Sequence, residues 1–323
     1  MNISSIHTAF YFAPYIQYSI VFILFVLFFM HSPRSLLRKG DVVIYSIMFI
    51  LCIISYLNGI SMEMSTNFKP FIITILLVFL NSRLLPVHLL KYFLFILLAF
   101  LAIEYLVAYT QLITTFHSNY VRIFGLIRPV GLFLDLHMTA YTIVFSIFIL
   151  GYFKLTGFIA IFFGSYQIVI GWFILALSKL NLIYIFTSLL CIVFILYSVD
   201  HLTTGENSES MLSVILNISD YEFSYKCLIL GCSVNIDSLS LSSGVGNKDS
   251  ISDFGYFRIL YQFGLLWAIL LLFSLRRYNK FFIAANIVMC IHYPVTFGIL
   301  GFTIFIYFLH CLKYKEYIEV NKS

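Results

Sequence analysis

The sequence predicts an all-α, polytopic integral membrane protein with about 10–11 transmembrane helices and one large periplasmic loop. Three observations predict it. Hydrophobic residues fill 62% of the 323 positions and charged residues 10%, and mean hydropathy is +1.01, whereas a globular chain is about half apolar and one quarter charged. The apolar residues fall in runs of about 20 without dyad alternation, which excludes a β-barrel; bare amides are too costly in hydrocarbon, so the spans must be helices. The 19 Lys and Arg lie at the ends of these runs, where such residues orient helices, with no basic patch interleaved with aromatics. Nucleic acid is therefore not an expected partner.

In chain order, the runs place helices near residues 10–30, 42–60, 66–82, 90–110, 131–153, 155–177, 180–199, 259–275, 281–292 and 296–312. The first lacks a basic n-region and a small-residue cleavage site, so it is expected to be retained as a span. Arg34, Arg38 and Lys39 put the first loop on the cytoplasmic side. The last two runs are short and are separated by His292, Tyr293 and Pro294. Both their flanks are basic (Arg276, Arg277 and Lys280, then Lys313 and Lys315), which makes 281–312 a helical hairpin with both ends cytoplasmic. The whole of 1–323 reads as a single membrane domain, and no internal repeat is visible.

Two hydrophilic segments interrupt it. One runs from Gln111 to Arg128, a short periplasmic loop over 111–130; the other is the large periplasmic loop over 200–253, with eight of the fourteen acidic residues. Two segments on one face need an even number of crossings between them, yet three clear runs lie between 131 and 199. One crossing is hidden: either the region after Lys179 folds as two shorter elements, or part of 210–232 (MLSVILNISD and YKCLILG) re-enters the bilayer. Cys52, Cys191, Cys290 and Cys311 sit in apolar runs as packing residues, and only Cys227 and Cys232 are placed to pair.

Candidates for chemistry fall in two clusters. From Asn119 the chain reads NYVRIFGLIRPVGLFLDLHMTA: Arg122 and Arg128, then Gly125, Pro129 and Gly131, then Asp135 and His137 entering an apolar helix. Arginine is suited to a diphosphate because its planar fork bonds phosphate oxygens bidentately and stays charged. Against this stand an Arg128 and Asp135 pair that merely packs a helix end, and arginines that anchor at the headgroups. The second cluster, SDFGYFRILYQFGLL from Ser252, brings Asp253, Tyr256 and Arg258 within about two helical turns. Asp253 fits a helix N-cap as well as a reacting group; Arg258 lies among apolar neighbours and is a third phosphate candidate. Glu104, mid-span in LFILLAFLAIEYLVAY, must face the bundle interior as a general base, a proton site or a structural residue. Lys179 and His292 sit at span ends, where capping and anchoring are common.

There is no phosphate-binding Gly-rich loop with Lys and Ser or Thr, no His and Glu metal pair at helix spacing, no G-x-S-x-G and no D-x-D. Neither a metal nor a cofactor is expected.

These residues resemble the Wzy-type O-antigen (polysaccharide repeat-unit) polymerases, which are related to the O-antigen ligases. The likeness covers roughly 122–266: an Arg- and Gly-rich outer loop entering a helix (RIFGLIRPVGLFLDLHMTA), a Ser-Arg step that here is Ser178 and Lys179, and a large loop closing on GVGNKDSISDFGYFRILYQFGLL. Lysine at 179, and a large loop whose only Lys or Arg residues are Lys226 and Lys248, depart from the family pattern.

The resemblance implies a bacterial inner-membrane glycosyltransferase that moves a growing glycan from undecaprenyl diphosphate to a lipid-linked repeat unit at the periplasmic face. It implies Arg122, Arg128, Arg258 and Lys179 at the diphosphate, and one of Asp135, His137, Glu104 and Asp253 as the base. Its implied partners are the undecaprenyl-diphosphate-linked oligosaccharide, membrane lipid, a chain-length regulator and a flippase. The alternatives are an O-antigen ligase and, outside enzymes, a lipid-linked oligosaccharide flippase or transporter; the latter usually shows repeated halves, which this chain lacks.

Overall fold

The computed structural model describes residues 39–62, 66–81, 87–109, 122–123, 126–127, 131–133, 136–152, 166–177, 224–233, 255–290 and 295–320, with single positions at 19, 22, 23, 26 and 159. These residues are helical almost throughout, as the all-α reading expects. Helices α1 (Lys39–Ser61), α2 (Lys69–Asn81), α3 (His88–Tyr109) and α4 (Leu136–Leu150) fall on the predicted runs, and α5 (Tyr166–Leu177) fills the second half of 155–177. The predicted helix at 180–199 lies outside the described residues, as do most of 10–30 and all of 200–253 except 224–233.

Three findings correct the sequence reading. The segment carrying Arg122 contains a two-residue antiparallel ladder, β1 (Arg122–Ile123) with β2 (Leu126–Ile127), in the register Arg122 with Ile127 and Ile123 with Leu126. The single helix expected over 259–275 is two, α7 (Gly255–Phe263) and α8 (Leu265–Leu275), broken at Gly264. Finally, after α9 (Lys280–Met289), the last helix, α10 (Ile299–Val320), does not stop at 312. The sequence KYKEYIEV contains no breaker and several good helix formers, so the hydrogen-bonded ladder continues past the apolar run.

Helix α10 is the centre of the bundle. From Leu300 to Leu312 every residue is buried, and apart from Thr303 and His310 the stretch is apolar on all sides, with α2 and α4 packed against it. A helix without a polar face is one that meets neighbours all round. The outer helices reverse the usual arrangement: Phe95 is 74% and Leu106 63% exposed, and α1 turns Val43, Ile50 and Leu57 outward. Meanwhile Ser55, Thr74, Thr139 and Thr303 are fully enclosed. Two helices among the described residues, Lys39–Ser61 and Leu89–Leu106, are long and apolar enough to cross a membrane.

The two ends of the bundle are held differently. At one end Arg277, in the turn after α8, makes two bonds to Asp41 in the first turn of α1, Nη1 to Oδ2 at 2.8 Å and Nη2 to Oδ1 at 3.0 Å. Asp41 thus also meets the positive end of its own helix dipole. At the other end of α1 a polar seam closes the break at Gly264. Gly264 has φ +85°, and a Cβ there would lie 2.6 Å from the Gly231 nitrogen, so only glycine lets the chain at 231 approach the break.

Asp41→Ala is expected to destabilise the protein by about 1–3 kcal/mol, because it leaves Arg277 without its bidentate partner. Asp41→Ala combined with Arg277→Ala should cost less than the sum of the two single changes. Thermal unfolding of the detergent-solubilised variants reads this as a double-mutant cycle.

Candidate functional site

Breaking a helix frees carbonyls, and here two of them have donors from elsewhere in the chain. Tyr261 O accepts from Cys232 N at 2.7 Å, while Gln262 O accepts from Ser233 N at 3.3 Å and from Ser55 Oγ at 3.0 Å. The two amide donors belong to a short segment opened by α6 (Tyr225–Leu230), which Ser224 caps through Cys227 N, and the hydroxyl donor Ser55 belongs to α1. That segment is closed by the Cys227–Cys232 disulfide, with 5.0 Å between Cα atoms, the pairing the sequence singled out. It also meets α1: Asn58 Nδ2 donates to Gly231 O at 3.2 Å, and the Ser55 and Ser233 hydroxyls are 2.9 Å apart. Met62, Leu228 and Tyr261 pack around the sulfurs. The fragment YKCLILG is therefore a helical element set against α1, α7 and α8.

Helix α9 locates the remaining groups. It runs away from the Arg277 end, and α4 lies antiparallel to it: Phe145 meets Phe282 edge-on at 5.3 Å, and Tyr141 Oη donates to Asn286 Oδ1 at 2.7 Å. One turn further, His137 at the start of α4 comes level with the end of α9. Tyr256, in the first turn of α7, donates to Ile287 O at 2.7 Å. His137 and the Tyr256 to Arg258 turn thus share the end of the bundle opposite the Asp41–Arg277 pair. Both His137 and Arg258 are half-buried. Burial, with the Cys290 thiol a smaller contributor, pushes the Tyr256 phenol up to about 12, so it remains a donor at neutral pH.

Glu104 lies on α3, half-buried, and its Oε2 accepts from Gly131 N at 2.7 Å. Gly131 opens the 3-10 turn Gly131–Phe133 with φ +62°, where a Cβ would lie 2.7 Å from Thr139 Cγ2 and 2.9 Å from its Oγ1. Phe133, fully buried, reaches Phe93 with 6.4 Å between ring centroids. The arginine-bearing segment is therefore fastened at its far end, between α3 and the first turn of α4.

Of the sequence candidates, the structure brings Glu104 to the Arg122–Gly131 segment and sets His137 and Arg258 at one end of the bundle. Arg122 is described through its place in β1 alone. Arg128, Asp135, Lys179 and Asp253 lie outside the described residues, as does His292. Sequence reasoning missed the seam formed by Ser55, Asn58, Gly231 and Gln262; the faint signal was three small or polar residues, Ser55, Asn58 and Gly59, at one end of an apolar run. No family model, curated protein or solved structure matches the chain.

Two outcomes follow from this geometry. Cys227 and Cys232 should be alkylated only after reduction, as peptide mass spectrometry of the unreduced protein would show. Gly131→Ala should lower the unfolding temperature, and Thr139→Ala in the same chain should restore part of the loss by removing the methyl and hydroxyl that clash; the positive φ would still cost about 1 kcal/mol.

Proposed function

We propose that this chain is a polytopic inner-membrane polymerase of lipid-linked glycan repeat units, acting at the periplasmic face without a metal. The observation that carries the membrane part is the reversed packing, with apolar faces of α1, α3 and α8 turned outward around enclosed hydroxyls and amides. A water-soluble surface does not present such continuous apolar faces. Support for the sidedness comes from α1: the basic residues Lys39, Arg276 and Lys280 gather near its first turn, and the disulfide lies at its last. Basic loops stay cytoplasmic and disulfides persist in oxidising compartments.

In this reading the glycan's anomeric carbon leaves the diphosphate oxygen of undecaprenyl diphosphate and bonds the non-reducing hydroxyl of the incoming repeat unit. The hydroxyl proton passes to a base, and undecaprenyl diphosphate departs. Arg122, Arg128 and Arg258, with Lys179, stabilise the charge that builds on the diphosphate. Glu104 is engaged with the Gly131 amide, so the base is sought among Asp135, His137 and Asp253. The substrate reaches the site through the membrane, and a chain-length regulator and a flippase are the natural partners.

The test is the lipopolysaccharide banding pattern of a strain deleted for the gene and complemented by wild type or by Arg122→Ala, Arg128→Ala or Arg258→Ala. A core bearing one repeat unit, returned to a ladder by wild type and not by the variants, is the expected result. Loss of every repeat, the single one included, would favour a ligase or flippase, and an unchanged ladder would remove the proposal. Cysteine labelling that puts 200–253 in the cytoplasm would sink it as well.

A further inference from the structure

We propose that Glu104 is a positioning residue, a carboxylate that fixes the loop carrying Arg122 and Arg128 against helix α3, and not the proton acceptor of the reaction. The argument begins with the cost of the residue. Glu104 is the one ionisable carboxylate in a 22-residue helix whose other charged residue, Lys91, lies in its first turn, and an ionisable group in such a place persists only where its oxygens are occupied. Here one oxygen, Oε2, takes the Gly131 amide at 2.7 Å, the distance of a charge-assisted bond.

That amide is itself unusual. Gly131 has φ +62°, and Thr139 on α4 fills the space a side chain would need, so the peptide is held against Glu104 by packing from behind as well as by the bond in front. Phe133, two residues on, is buried against Phe93 at the other end of the same face of α3. Three contacts from two helices therefore fix the end of the segment, while its ladder, Arg122–Ile123 with Leu126–Ile127, keeps the stretch before it compact. Arg122 stands in this ladder, and Gly131, a few residues beyond its second strand, is tied to Glu104. A diphosphate site gains from this because groups held in place before the substrate arrives need not be ordered in the reaction.

The consequence for catalysis rests on the polymerase reading; the tie itself does not. Positioning and proton transfer make opposite demands on the side chain. Gln keeps an acceptor oxygen at the same reach and loses the titrating proton, while Asp keeps the carboxylate and falls short by about one bond length, roughly 1.5 Å. The experiment uses the full chain in lipid nanodiscs and in the complemented deletion strain. Glu104→Gln, Glu104→Asp and wild type are compared by hydrogen exchange over 122–133 and by ladder formation, with KM for the lipid-linked unit read separately from kcat.

Glu104→Gln is expected to stay within about threefold of wild type in exchange and to form the ladder, since a neutral bond replaces a charged one. Glu104→Asp is expected to exchange about tenfold to a hundredfold faster over 122–133 and to raise KM more than it lowers kcat. An active Asp variant beside an inactive Gln variant with native exchange would overturn the proposal in favour of a base. Unchanged exchange in both variants would overturn it also. Should wild type itself fail to restore the ladder, the polymerase reading falls while the exchange data still decide whether Glu104 holds the loop.

Discussion

A carbonyl released inside an apolar bundle must find a donor, and the arrangement of this molecule follows from how Tyr261 and Gln262 find theirs. The break at Gly264 opens two carbonyls that would cost about 1–3 kcal/mol each if left bare. Cys232, Ser233 and Ser55 supply the donors. In doing so they bind together three parts of the chain that the sequence keeps far apart: the end of α1, the disulfide-closed segment and the α7–α8 junction. Gly59, Gly231 and Gly264 are all needed at this one place, since a Cβ at any of them would meet backbone of another part. Side chains could have filled such a junction only by pushing the backbones beyond hydrogen-bond reach.

The kink has a second effect. From the break at Gly264, α7 leads back to Tyr256, which bonds Ile287 near the end of α9. Arg258 is thereby carried to the same end of the bundle as His137 at the start of α4. The polar seam therefore governs where a candidate anion-binding group lies, although none of its residues is itself a candidate for chemistry.

What the sequence made legible follows a physical division. Apolar runs of helical length report directly on the solvent a helix needs, so α1 to α4 and α9 were found to within a few residues, while the run at 259–275 concealed the break between α7 and α8. Glu104 stood out for the same reason, as one carboxylate in an apolar run, and Cys227 and Cys232, the two cysteines outside the apolar runs, were the pair placed to bond. The seam was not legible, because serine, asparagine and glycine fit an apolar run without disturbing it and their partners lie far away in the chain. Gly264 in QFGLL looked like one more small residue in a span. Nothing in the sequence links Asp41, an acidic residue near a span start, with Arg277, one of several basic residues flanking a later span, so the bond between them was hidden. Whether His137 or Glu104 does chemistry depends on what each oxygen or nitrogen touches, and sequence spacing does not encode that.

Two criteria bear on which way the bundle faces, and they arise from unrelated causes. The clustering of Lys39, Arg276, Arg277 and Lys280 near the first turn of α1 reflects how loops are retained during insertion. The Cys227–Cys232 bond reflects the redox state around the finished protein. Helix α1, about 35 Å long, holds them at opposite ends, a separation close to the hydrocarbon thickness of about 30 Å. Had the disulfide fallen beside Arg277, one criterion would have contradicted the other and no transmembrane arrangement would satisfy both. In the membrane arrangement we propose, both criteria put the end that carries Glu104, His137 and Arg258 at the periplasmic face, which is where the transfer from a lipid-linked diphosphate would have to occur.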